Sequence, residues 1–229
     1  MTRTRSNEGK PLVRYADRHY AILFYSLLAT LATGPLLDAF GLDTRLLEIL
    51  LGVNLLAAVI PLRSMSQRGL LLAALVVATL IRIGAEYSGS TQAVTASLAM
   101  WSAIALVAAA GAIRFAMRAK SVDREHLYAA LDAYVLFGLF LGVLYWAIDR
   151  ALPQSLAVIH LPSDHSLTLS EAVYFSFVTL VTLGYGDIVP RGEAARGIAV
   201  VEAVAGQLYL AVMIAYLVSL HVIAARDAE

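Results

Sequence analysis

Cysteine is absent from the 229 residues, and only 15% of them carry a formal charge. The first absence excludes disulfides and thiolate metal sites. The second falls well below the roughly 25% of an ordinary globular domain. With 60% hydrophobic residues and a mean hydropathy of +0.75, it points to a membrane protein with little chain left for a soluble domain. Formal net charge is zero, so no basic field suggests nucleic acid. Catalytic constellations are missing as well: no nucleophile is set beside a base and no His/Glu pair has helical metal-site spacing, so neither enzyme activity nor an organic cofactor is expected.

What is present is a series of apolar runs, at 19–38, 45–62, 69–87, 92–117, 127–149 and 192–224. Each approaches the roughly 20 residues that cross a hydrocarbon core of about 30 Å, so the sequence predicts an all-α membrane protein with six transmembrane helices. The first run follows a basic N-terminal segment (1–18), as a signal peptide would, but has no convincing small-residue cleavage site and reads as a retained span. Gly34-Pro35 and Gly41, Pro61, and Ser88-Gly89-Ser90 are the expected breakers between runs. Lysine and arginine set the orientation. With the N-terminus inside, the inner side holds Arg3, Arg5, Lys10, Arg14, Arg18, Arg63, Arg68, Arg114, Arg118, Lys120, Arg124 and Arg226, and the outer side Arg45, Arg82, Arg150, Arg191 and Arg196. Twelve against five places both termini in the cytoplasm and the one long connection, 150–189, outside.

That connection holds the informative stretch. Thr168-Leu169-Ser170-Glu171 fits a capping box, with Thr168 as N-cap and Glu171 at the third helical position. The helix it opens, about 169–181, is apolar and aromatic but only long enough for about half a bilayer. A short helix that dips in must return through non-helical backbone, which is tolerated at membrane depth only where protein or water lines it. The return is "TLVTLGYGDIVP", residues 179–190. In a soluble protein Gly184-Tyr185-Gly186-Asp187 would be a tight turn. In a re-entrant loop the alternating glycines instead let the backbone switch hand repeatedly, aiming successive carbonyls at a dehydrated cation. The preceding helix points its negative C-terminal end the same way.

Thr182-Leu183-Gly184-Tyr185-Gly186-Asp187 resembles the selectivity-filter signature of potassium channels, in which valine is commoner than Leu183. The likeness extends back over Tyr174, Phe175 and Thr179 and forward to Gly206, twenty residues beyond Gly186, and covers about 127–224. The resemblance implies a pore domain (119–229) with outer helix 127–149, filter 182–187 and inner helix 192–224. The carbonyls of Thr182, Leu183, Gly184 and Tyr185 and the Thr182 hydroxyl would then hold K+ ions, and Gly206 would be a hinge. One loop cannot enclose an ion path, so a homotetramer in a prokaryotic plasma membrane is implied, surrounded by lipid. Less selective cation conduction, a potassium-transporter subunit and a nonconducting membrane partner are the alternatives.

Other residues are read beside this frame. The fourth run carries no charge before Arg114, so the four N-terminal helices (19–118) lack the repeated arginines a voltage sensor needs inside the field. Glu202 is either a hydrogen-bonding partner behind the filter or a neutral acid packed between helices, and Gln207 shares the ambiguity. Asp132 is expected to pair with a base such as Arg118 or Arg124, and Arg82 with Glu86 one turn on. Gly138 and Gly142 form a GxxxG expected to pack on the last span. His160, Asp164 and His165 are a polar loop or a sensor of pH or metal. Tyr20, Tyr87, Tyr145 and Trp146 fit interfacial belts. Tyr209, Met213, Tyr216 and Leu217 are candidates for an inner constriction, with lipid-facing packing as the alternative. The chain runs about five residues past the last span, so gating by a cytoplasmic ligand domain would require a separate subunit.

Overall fold

The computed structural model describes residues 19–41, 45–61, 65–118, 124–162 and 165–226, so the N-terminal segment 1–18 and Asp164 lie outside the described residues. The described residues form seven helices and one small sheet: α1 (His19–Ala39), α2 (Arg45–Val59), α3 (Met65–Ser88), α4 (Thr91–Ala116), α5 (Arg124–Ala151), β1 (Leu156–Val158), α6 (Leu169–Leu180), β2 (Ile188–Pro190) and α7 (Glu193–Arg226). The strands pair antiparallel, Ala157 opposite Val189.

Among the described residues five helices, α1, α3, α4, α5 and α7, are long and apolar enough to cross a membrane. The second expected span is not one of them. Its helix, α2, has 15 residues, about 22 Å at 1.5 Å per residue, which falls short of about 30 Å of hydrocarbon. Pro61 sets the limit: the residue before a proline is pushed out of the helical region, and Ile60-Pro61 form a turn after Val59. Gly34-Pro35, in contrast, does not end α1. A proline costs the helix one hydrogen bond, but α1 continues to Ala39 and turns at Gly41, where φ is +62°.

The bundle is organised around α5. Its apolar window is 67% buried, against 17% for α7, so one helix is a core element and the other presents most of its surface outward. Small residues bring α4 onto α5. Ala105, Ala108, Ala109, Ala112 and Ala116 recur at helical spacing and are all buried; the last turns meet Ala129, Ala130 and Ala133 of α5. Without side-chain bulk the backbones approach closely, and close dispersion contacts hold helices together where lipid offers no hydrophobic drive. Arg82 of α3 pairs with Glu48 of α2 at 2.9 Å. The side chain of Glu86, the partner expected one turn along, lies outside the described ones; α2 brings an acid from 34 positions away.

Candidate functional site

The short helix α6 begins as the sequence predicts. Thr168 accepts from the Glu171 amide at 3.2 Å and Glu171 accepts from the Thr168 amide at 2.8 Å, a complete capping box. His165 adds its Nε2 to the same carboxylate at 3.0 Å, so of the outer-loop histidines this one belongs to the helix start. No group of residues able to hold a metal occurs among the described residues. The GxxxG of α5 receives α6 rather than the last span. A Cβ at Gly138 would lie 2.7 Å from the Phe177 ring, and one at Gly142 would lie 2.7 Å from Val173 Cα. On the other side α1 closes in, since a Cβ at Gly34 would sit 2.9 Å from Ser170 Oγ.

After Leu180 the backbone alternates in hand. Thr182, Gly184 and Gly186 have φ of 60°, 54° and 76°, and the residues between them do not share this sign. The glycines accept that region freely; a β-branched threonine does not, and such a residue stores about 1–3 kcal/mol of strain. The amides of Leu183 and Gly184 both donate to the Val178 carbonyl of α6, at 2.9 and 3.3 Å. In a trans peptide the carbonyl of one residue points opposite to the next amide. The Thr182 and Leu183 carbonyls are therefore turned away from α6, on the exposed side of the segment. Thr179 takes part through its carbonyl, which accepts from the Thr182 amide at 3.0 Å.

The far end of the segment is anchored by Asp187. Tyr174 donates its hydroxyl to Oδ2 at 2.6 Å and the Ile188 amide donates to Oδ1 at 3.0 Å. The Tyr174 hydroxyl holds the Asp187 carboxyl below the usual carboxylate range. The Asp187 carbonyl accepts from the Ile159 amide at 2.8 Å, which ties the segment to the β1–β2 pair.

Behind α6 lies Glu202, fully buried. Tyr145 donates to Oε2 at 2.7 Å, and Ser176 Oγ stands 2.5 Å from Oε1 and 2.7 Å from the Gly138 carbonyl. A hydroxyl has one proton to give. When Ser176 gives it to Gly138, the contact with Glu202 requires the proton of a neutral carboxyl, and all the groups are then paired without burying a charge that no cation offsets. Glu202 is thus a buried acid that links α5, α6 and α7. Phe175 packs edge-on against Tyr145 at 4.9 Å. Tyr145 is therefore an interior residue and not part of an interfacial belt, and Trp146, whose indole donates to the Leu167 carbonyl at 3.1 Å, is buried too. Tyr20 is likewise buried, whereas Tyr87 is exposed.

Along α7, Gly206 sits against the end of α6: a Cβ there would lie 2.6 Å from Leu180 Cδ1 and 2.8 Å from the Leu180 carbonyl. The helix is continuous through it. Three of the proposed constriction residues turn toward α4 and α5. Tyr209 donates to the Ala130 carbonyl at 2.5 Å, Met213 is buried among the alanines, and Tyr216 donates to the Met117 carbonyl at 2.9 Å. Positions 209, 213 and 216 share one helix face, and that face is the packed one; Leu217 is half-buried and Gln207 exposed. Asp132, expected to meet a base, is fully buried with neither oxygen paired to protein.

Comparison with known proteins bears on this half of the chain. Residues 133–222 match the family model described as "Ion channel". No curated protein and no solved structure matches the chain. The matched stretch runs from α5 through α6 and the alternating segment into α7, so the site just described lies within it, in a chain whose described residues hold five candidate membrane spans.

Proposed function

We propose that the chain is the subunit of a homotetrameric, potassium-selective channel that conducts K+ passively across a prokaryotic plasma membrane, with both termini in the cytoplasm and without an arginine-repeat voltage sensor. The observation that carries this reading is the backbone of 182–186, alternating in hand at Thr182, Gly184 and Gly186, with the 183 and 184 amides tied back to α6. Such a segment offers a row of carbonyl oxygens in place of an ion's water shell, as a filter ring does. Four copies would close the ring. Leu183 and Tyr185 are 56% and 67% exposed on a single chain, and Val200, Val201, Val204, Leu208 and Val212 are exposed along α7, which gives the assembly apolar surface to bury.

Weaker cation selectivity is the second reading, and one observation favours it. A cavity of about 250 Å³ lies behind the segment between α1, α2 and α6, and Leu183 lines it. A loosely backed filter wall would hold its carbonyls less firmly at the spacing one ion prefers. Reconstitution in planar bilayers with potassium on one side and sodium on the other separates the two. A reversal potential near the potassium equilibrium value, with current abolished by Gly184→Ala, supports the first; a reversal near zero supports the second. Absence of current from correctly folded tetramers would overturn both.

A further inference from the structure

Where α1, α2, α4 and α5 meet, away from the 179–190 loop, the bundle leaves a partly open pocket of about 30 Å³. Its wall is mainly aliphatic, with leucine the commonest residue, but Asn54, Trp101 and Ser102 join it, at 2%, 7% and 3% exposure. Asn54 gives its Nδ2 to Thr30 Oγ1 at 2.6 Å. Its Oδ1 has no partner, and neither have Trp101 Nε1 and Ser102 Oγ; each of these atoms is buried. One such atom in an apolar interior is costly, and three around one small chamber call for a common explanation. Their chemistry is complementary: the amide oxygen only accepts, the indole only donates and the hydroxyl does either.

We propose that this chamber is a binding site for an ordered water molecule, which accepts from Trp101 Nε1, donates to Asn54 Oδ1 and shares a hydrogen bond with Ser102 Oγ. A bound water needs about 10–15 Å³ of such space and two to four polar partners; the volume meets the first condition, and the three unpaired groups of the wall would supply the second. Other guests fit badly. No charged side chain lines the wall to hold an ion, and an apolar guest the size of benzene occupies a cavity of about 150 Å³. The water completes a polar link from α4 through α2 to Thr30 of α1. One turn beyond Thr30 stands Gly34, packed on Ser170 of α6, so the hydrated joint lies on the inner wall of the bundle that backs the candidate filter helix.

The test uses the full-length protein in nanodiscs with 15N-labelled tryptophan. There are two tryptophans, and Trp146 is an internal dry control because its indole already donates to a carbonyl. Cross-relaxation between water and the indole N–H protons should give a peak for Trp101, assigned by its disappearance in Trp101→Phe, and none for Trp146. A Trp101 indole as silent as that of Trp146 overturns the proposal. Asn54→Leu, which takes the water's acceptor and its space, should remove the Trp101 peak while leaving the Trp146 signal in place. Retention of the peak would put the water elsewhere and also overturn the site. Should that variant not fold, Ser102→Ala is measured instead, with at least a twofold loss of peak intensity expected and unchanged intensity counting against the site.

Discussion

Among the described residues Glu202 meets two hydroxyls and no cation, and this decides which substitutions it tolerates. In Glu202→Gln the amide oxygen still accepts from Tyr145, and the NH2 group donates to Ser176 as a neutral carboxyl would. Stability should change by less than about 1 kcal/mol. Glu202→Ala leaves the Tyr145 and Ser176 hydroxyls unpaired around a void and should cost about 2–4 kcal/mol. Thermal unfolding in detergent distinguishes them, and equal losses would mean that the carboxyl is ionised. Asp187 gives a pH signature. Its pKa lies below the ordinary aspartate value, chiefly because of the Tyr174 hydroxyl. A depressed carboxylate contributes stability above its unfolded pKa and loses it as pH falls through the folded value. Current through the wild-type protein should therefore survive outer acidification down to and below the ordinary carboxylate range. Tyr174→Phe, without the donor, should lose current at higher pH, and coincident acid midpoints would show that the hydrogen bond does not govern the anchor.

At the scale of elements, α6 is a short helix held on three sides, by the two glycines of α5, by Gly34 of α1 and by Gly206 of α7. Each contact depends on a missing side chain. Gly206→Ala drives a methyl group into the Leu180 carbonyl, which is backbone and gives way poorly, so a loss of about 1–3 kcal/mol and a lower unfolding temperature are expected. An unchanged unfolding temperature would mean that α7 can move off α6 freely. Sequence alone located α6 and its cap because the capping box, the helix length and the glycine pattern are local signals. It misplaced the partner of the GxxxG and could not choose the packed face of α7, because those are settled by elements far away in sequence. It also gave α2 a full span, since hydropathy reads through Pro61 while the backbone does not.

For the whole molecule, the uneven burial of α5 and α7 is the feature with the most reach. A helix as apolar as α7 with 17% of its window buried needs lipid or protein around it. If four copies supply that surface, native mass spectrometry from mild detergent should show a four-chain species. Val204→Arg and Leu208→Arg, both on the exposed face, should shift it to single chains that remain helical. A wild-type protein that runs only as a monomer would count against the channel reading as a whole. The stretch that matches the ion-channel model stood out because its motif is dense in backbone information. The N-terminal helices did not, since their Asn54, Trp101 and Ser102 are separated in sequence and acquire meaning only when the bundle gathers them.

One position compresses the conflict between structure and chemistry. Thr182 holds a backbone angle that suits a residue without a side chain, yet in the proposed filter its hydroxyl would be the one side-chain oxygen at the inner end of the carbonyl row. Glycine there would relax the chain and delete the oxygen; serine would keep the oxygen and, without the β-branch, ease only part of the strain. On that reading comfort and function at this residue are alternatives, and the native choice leaves a tensed link between the helix and the segment that follows it.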